Sequence, residues 1–415
     1  MTQNNADIII VGAGASGLLA ALECARAGLG VIVLEKEILA GRKILVTGNG
    51  RCNFSNQKAS VATYFGDKDF VKAALDKFSP KDCVAFFEYL GMLAVCEEGR
   101  YFPVTGKASS VAGSLVCAAQ EAGAQFVFKA EVTEVKNTNG GYRARCADGQ
   151  IFTAKNIILS CGSLAYPQAG GTESGYNLAK SLGHKINPLS PALCALNIKE
   201  AALGRLAGLK VLAKVTLADG AGNTIDAEEG EIIFGAKGVS GNNILSISRN
   251  AAAGHKIFID FLPQFTAQEF DAFMTARAQK MQNRKVKDFF EGLLADSATN
   301  LLVDYLGVKK NILVSELKQD IFARIVKTIK AWPFTVEGLR PWKEASAAKG
   351  GVDTAQVQAG TFESKLSRGL YITGELLDID GRCGGFNLHF AWASGFCAAR
   401  AIKEQACGKS DNKKN

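Results

Sequence analysis

Proline and histidine are the scarce residues of this 415-residue chain, with 8 and 3 copies beside 44 glycines. So few prolines leave no stiff Pro-rich linker, and the glycines suit tight turns and close backbone approaches. The histidines, His184, His255 and His389, are too few and too dispersed in sequence to suggest a metal centre. The 11 cysteines are odd in number and lack any C-x-x-C pair, which argues against a disulfide framework or a zinc site and for a reducing cytosol. A large excess of one charge is missing too: 48 Lys and Arg against 40 Asp and Glu leave only +8, spread along the chain. That balance favours an anionic ligand and says nothing about fold. The one long apolar run, Ile8–Ala27, contains glycines, Glu23 and Arg26, which argue against a signal peptide or a spanning helix. A soluble, cytoplasmic protein of two or three domains is expected, 47% apolar and 21% charged.

What is present concentrates at the start. Ala6–Val11 is a β-branched run that reads as a buried parallel strand. It leads into Gly12-Ala13-Gly14-Ala15-Ser16-Gly17, a G-x-G-x-x-G, then a helical pattern stopped by Gly28, then a second strand, Val31–Leu34, with Glu35 at its end. The glycine motif alone is weak, but strand, helix, second strand and acid together read as a dinucleotide site. Gly12 permits the turn, Gly14 lets backbone approach a pyrophosphate, and Gly17 lets helix and strand pack closely. Glu35 would accept from ribose hydroxyls and repel a 2′-phosphate. No second such unit occurs, so the sequence shows no dedicated NAD(P)H domain, and NAD(P)H is expected at most as a transient electron donor. The next segment, Gly41–Asn56 (GRKILVTGNGRCNFSN), is glycine-rich and basic. A loop of that kind after the ribose-binding strand suits a cofactor that extends past the first unit, as FAD does.

Farther along, Ser79-Pro80 reads as a helix start, Gly99–Pro103 as a turn, and Asn156–Cys161 as a buried strand closed by Gly162. Residues 191–265 alternate as strands do. From Thr266 to Ala331 the pattern turns helical and mildly basic, with 11 Lys and Arg against 8 Asp and Glu. Strand patterning returns at Trp332, another buried strand ends at Gly374-Glu375, and a Gly-rich loop, Asp378–Asn387, feeds a final helix. Three parts are expected: a nucleotide domain of residues 1–190 and 361–415, a β-rich substrate domain of 191–265 and 332–360, and a helical insertion of 266–331.

Taken together, GAGASG, GRKILVTGNGRCNFSN, GRYFPVTGKAS, ILSCGSLAYPQAGGTESGYNLAKSLGH, KGGV, ESKLSRGLYITGELLDIDG and GGFNLHFAWASG resemble the BaiN/aminoacetone-oxidase-like flavoproteins over nearly the whole chain. The resemblance implies an α/β fold: a Rossmann-like FAD-binding domain of the glutathione-reductase type, with an inserted β-barrel-like domain and a helical insertion. It implies an FAD-dependent oxidoreductase that moves hydride between a small organic substrate, or NAD(P)H, and flavin N5. Position by position, Gly12, Ala13, Gly14, Ala15, Ser16 and Gly17 would line the diphosphate, and Glu35 would hold the adenosine ribose. Arg42, Lys43 and the loop Gly48, Asn49, Gly50, Cys52, Asn53 would lie along the ribityl and flavin part. Glu375 falls where many FAD enzymes place an acid on the ribityl chain. Gly384, Gly385, Phe386 and Asn387 would bring N–H groups to the flavin pyrimidine edge. Lys36, Gly41, Val132, Cys161, Gly162 and Gly374 complete the expected cofactor set.

Three places depart from the family's pattern: Gly48-Asn49-Gly50 stands where three glycines are usual, Gly235–Asn242 lacks the family's histidine and proline, and Arg382-Cys383 replaces Pro-Thr. Asn49 thereby puts a side chain where it could touch the ring. Cys52 and Cys383 invite a redox-dithiol reading, against the commoner use of single cysteines in packing. His389 reads as helix packing or capping rather than as a general acid. Arg51 would neutralise phosphate or a substrate carboxylate, or else form a structural ion pair. The other readings are a flavin-dependent RNA-acting protein, for which no RNA-binding motif is seen, and a flavin-binding sensor without catalysis. Neither metal nor membrane is expected as a partner.

Overall fold

The computed structural model describes residues 4–411, which fall into two compact units, 4–190 with 346–411 and 191–345. The first unit is built on a seven-stranded sheet. Asn5–Val11 (β1) lies at its centre, parallel to Val31–Glu35 (β2) on one side and to Ile151–Leu159 on the other. Gln125–Phe128 extends the parallel part beyond β2. Ile8, Ile9 and Ile10 are fully buried, as a central parallel strand covered on both faces demands.

The strand Ile151–Leu159 forks. Ile151–Ala154 pair antiparallel with Gly141–Cys146, while Ile157–Leu159 pair parallel with Leu370–Ile372. A strand from late in the chain is thereby returned to the sheet beside strands from its first half. The helix Ala15–Arg26 (α1) and the final helix, Phe386–Asp411, pack together over this sheet, sharing its core through Leu18, Leu22, Trp392 and Ala398.

Local signals acted as their chemistry demands. Ser79 accepts from the Asp82 N–H and Asp82 bonds back to the Ser79 N–H, a capping box that starts the helix Pro80–Tyr89. Gly99–Pro103 is not a free turn. Arg100–Pro103 pairs with Ala94–Glu97 and with Ser55–Asn56 in a three-stranded sheet, and Glu98 and Gly99, at φ 51° and 83°, make the two-residue reversal.

The second unit is a closed six-stranded antiparallel barrel in the order Leu196–Ile198, Gly238–Ser240, Thr224–Phe234, Lys210–Ala218, Lys256–Asp260, Trp332–Leu339. Its interior residues Val215, Leu217, Ile257 and Ile259 share one core with Phe270, Met274, Phe289 and Ile329 of the helical segment. Helices and barrel in this unit therefore share one hydrophobic core. Residues 346–360, expected with the β-rich part, belong to the first unit instead. Val352 bridges Ile186 and Leu377, and Lys185 pairs with Asp353 at 3.0 Å, contacts that local strand patterning does not reveal.

Candidate active site

The C-terminal ends of β1 and β2 and the start of α1 border an open cleft. Three glycines shape the turn that borders it. Gly12 sits at φ +101°, and a Cβ there would lie 2.6 Å from the Ser160 carbonyl oxygen. At Gly17 a Cβ would lie 2.1 Å from the Gly12 carbonyl oxygen, so strand end and helix start touch backbone to backbone. Gly14 is different: its nearest neighbour would be 4.0 Å away, so its missing side chain leaves room at the cleft. Gly14 also begins α1 with no side-chain cap and no acid in the first turn. The free N–H groups and the positive end of the helix dipole therefore face the cleft uncompensated, the arrangement an anionic diphosphate needs.

Glu35 is fixed rather than swinging free. One carboxylate oxygen accepts from the Ala13 N–H at 2.7 Å and the other from the Glu37 N–H at 2.9 Å. A carboxylate has about four lone-pair sites, so both oxygens keep capacity for a ribose hydroxyl.

The basic loop divides its cations. Arg42 pairs with Glu37 and donates to the Gln168 carbonyl at 2.9 Å, which ties the loop after β2 to the 163–172 segment. Lys43 pairs with Glu375 at 2.5 Å, and Glu375 Oε1 is buried without a hydrogen-bond partner. Arg51 turns outward, pairing with Glu97 at 2.5 Å and lying 4.3 Å over the Phe102 ring. Of its two sequence readings, the structural ion pair is the one realised.

Of the expected cofactor residues, Gly12, Ala13, Gly14, Ala15, Ser16, Glu35, Lys36, Gly41, Arg42, Lys43, Val132, Cys161, Gly162, Glu375 and Asn387 line the cleft. Gly17, Gly48, Asn49, Gly50, Cys52, Asn53, Gly374, Gly384, Gly385 and Phe386 do not. Gly48, Asn49 and Gly50 form an exposed turn with φ of 56°, 55° and 82°. Cys52 is buried beneath it, and burial pushes its thiol up to about 12, slightly offset by the Thr47 hydroxyl. Burial and the Glu35 charge likewise push Cys161 up to about 12. No disulfide joins Cys52 to Cys383 among the described residues. The Asn387 side chain is tied to its own loop: Oδ1 accepts from the Gly381 N–H and Nδ2 donates to the Gly381 carbonyl, both at 2.9 Å.

The Asn53–Asn56 segment is stitched to the final helix. Asn56 donates to the Gly384 carbonyl at 2.8 Å, Trp392 donates to the Phe54 carbonyl at 2.9 Å, and Ser55 Oγ lies 3.0 Å from His389 Nδ1. Burial pushes the fully buried His389 down to about 4, against a smaller upward pull from the Phe78 backbone. His389 is thus a neutral packing residue, as one sequence reading had it. Sequence reasoning passed over Thr47, the Ala169–Thr172 strap and Ser346, which also line the cleft. Gly170-Gly171 was a signal for the strap; Ser346 carries none.

The profile of the HI0933-like protein Rossmann domain matches residues 6–401. The chain belongs to that family. It is 34% identical to a 3-dehydro-bile acid delta(4,6)-reductase of Clostridium scindens, over 95% of this chain and 98% of the relative. A ribosomal RNA dihydrouridine synthase of Haemophilus influenzae is 28% identical over 96% of this chain and 98% of its own. The solved 3-ketosteroid delta1-dehydrogenase of Sterolibacterium denitrificans shares the fold, with a TM-score of 0.54 at 14% identity, covering 97% of this chain and 100% of that one. The flavoprotein resemblance is therefore a family relationship, and the chain is an FAD-dependent oxidoreductase. The uncapped α1, the open space at Gly14 and the orphan acceptor of Glu375 fit that cofactor. Among the described residues no helix is long and apolar enough to cross a membrane, and no His, Cys, Asp and Glu cluster could hold a metal ion.

Proposed function

We propose that this enzyme saturates a carbon–carbon double bond conjugated to a carbonyl in a small organic molecule, with electrons drawn from NAD(P)H. The observation that supports this reading is a shared chemistry in the relatives' names. A delta(4,6)-reductase of a 3-dehydro-bile acid and a dihydrouridine synthase both reduce such a bond, on unrelated molecules. Bound FAD supplies the hydride relay between donor and substrate. The chain's part is to bind and orient: the first turn of α1 takes the diphosphate, Glu35 takes the adenosine ribose, and Glu375 accepts from the cofactor's hydroxyls. The substrate gains the hydride and one proton, and NAD(P)⁺ leaves.

The test is anaerobic. NADH or NADPH is added to the purified flavoprotein, and its bleached spectrum is followed as 4-en-3-one steroids and simpler enones are supplied. Return of the oxidised spectrum, with a product heavier by one H₂, supports the reading. A reduced flavin that no enone reoxidises refutes it.

A second reading has its own observation, the 28% identity to a ribosomal RNA dihydrouridine synthase. Uridine reduction in purified ribosomal RNA, with binding that weakens steeply with salt, would favour it over the small-molecule reading.

A further inference from the structure

We propose that Lys43 is a positioning residue that acts on the cofactor through Glu375. The two residues stand 332 positions apart in sequence, yet Lys43 Nζ lies 2.5 Å from Glu375 Oε2 and both line the cleft. The other cations of the same loop are committed elsewhere, Arg42 to Glu37 and the Gln168 carbonyl, Arg51 to Glu97 and the Phe102 ring. Lys43 is thus the loop cation that holds a half-buried carboxylate inside the site, where the Glu375 side chain is 15% exposed. The pairing uses one oxygen and leaves Oε1 buried with no partner.

A buried acceptor without a donor is costly, and a polyhydroxylated ligand removes that cost by donating to it. Lys43 does two things for that contact. It fixes the Glu375 rotamer so that Oε1, not Oε2, is the free acceptor. It also balances the carboxylate, so that a ligand carrying a negative diphosphate does not meet a second bare negative charge in the cleft. Tyr176, whose phenol is pushed up by burial and by the Glu375 and Asp378 carboxylates, stays neutral and adds no negative charge there.

This inference rests on FAD being the ligand, and it is tested on apoprotein by FAD fluorescence quenching, without turnover. The proteins are wild type, Lys43→Met, Lys43→Arg, Glu375→Gln and the Lys43→Met/Glu375→Gln double variant. Lys43→Met is expected to weaken FAD binding roughly ten- to hundredfold. Lys43→Arg should restore most of it, and the double variant should bind more tightly than Lys43→Met alone, because the charge that Lys43 balances is gone. Additive losses in the double variant, or Lys43→Met binding like wild type, would overturn the proposal while leaving the cofactor assignment standing. Wild-type apoprotein that takes up no FAD would overturn both. Should Lys43→Met fail to fold, Lys43→Gln runs the same cycle with Glu375→Gln.

Discussion

Gly17 faces Gly12 so closely that a single added carbon on Gly17 would stand 2.1 Å from the Gly12 carbonyl oxygen. Neither backbone can yield without moving β1 or α1, and both are locked in the core of the first unit. Gly17→Ala should therefore destabilise the fold by about 1–3 kcal/mol, the range for forced overpacking. A lowered melting temperature together with loss of bound flavin is the expected outcome. An alanine variant that melts with the wild type would show that the turn has slack.

Buried imidazoles make the protein acid-sensitive. His389 is held neutral down to about 4, and His184, 2% exposed, is also pushed down by burial. The unfolded chain takes up these protons near the ordinary histidine value of about 6.5, and the folded one only at lower pH. Stability should thus be full above about 6.5, fall progressively toward about 4, and cost about 3 kcal/mol at the His389 site. Melting curves across that window check it, and His389→Gln should flatten the slope. An unchanged slope in that variant would assign the acid sensitivity elsewhere.

Cys52 should be chemically silent despite its place in the glycine-rich loop. Its thiol is fully buried and pushed up to about 12, so almost no thiolate exists at neutral pH. Iodoacetamide on the native protein, read by peptide mass spectrometry, is expected to label the exposed Cys96, Cys117 and Cys407 and to spare Cys52. Early labelling of Cys52 would revive a redox role.

Arg51 should be dispensable to the cofactor. Its guanidinium is bound to Glu97 and Phe102 on the exposed side of the loop. Arg51→Ala is predicted to keep wild-type FAD affinity, measured by the same quenching titration. A large loss would mean that this side chain reaches the ligand after all.

Asn49 sits at φ 55°, a left-handed conformation that glycine adopts without cost. It is exposed and is not among the residues that line the cleft. Asn49→Gly should leave the flavin spectrum and its reduction rate unchanged. A shifted spectrum would restore the sequence-based reading.

What the sequence determined by itself is local. A β-branched run, three spaced glycines, an apolar helix and an acid at a strand end need only their neighbours, so β1, the Gly12–Gly17 turn, α1, β2 and Glu35 were legible residue by residue. The same holds for the Ser79 capping box and for the buried strands at Ile157 and Tyr371. Tertiary structure decided the rest. Which of Arg42, Lys43 and Arg51 faces the cleft, the meeting of Lys43 with Glu375, the stitching of Ser55 to His389, and the closure of the barrel by Leu196–Ile198 against Trp332–Leu339 all depend on distant segments. A cation's direction on a flexible loop has no periodicity to betray it. It follows from where the folded chain places the nearest carboxylate, which here came from the turn after a strand more than three hundred residues away.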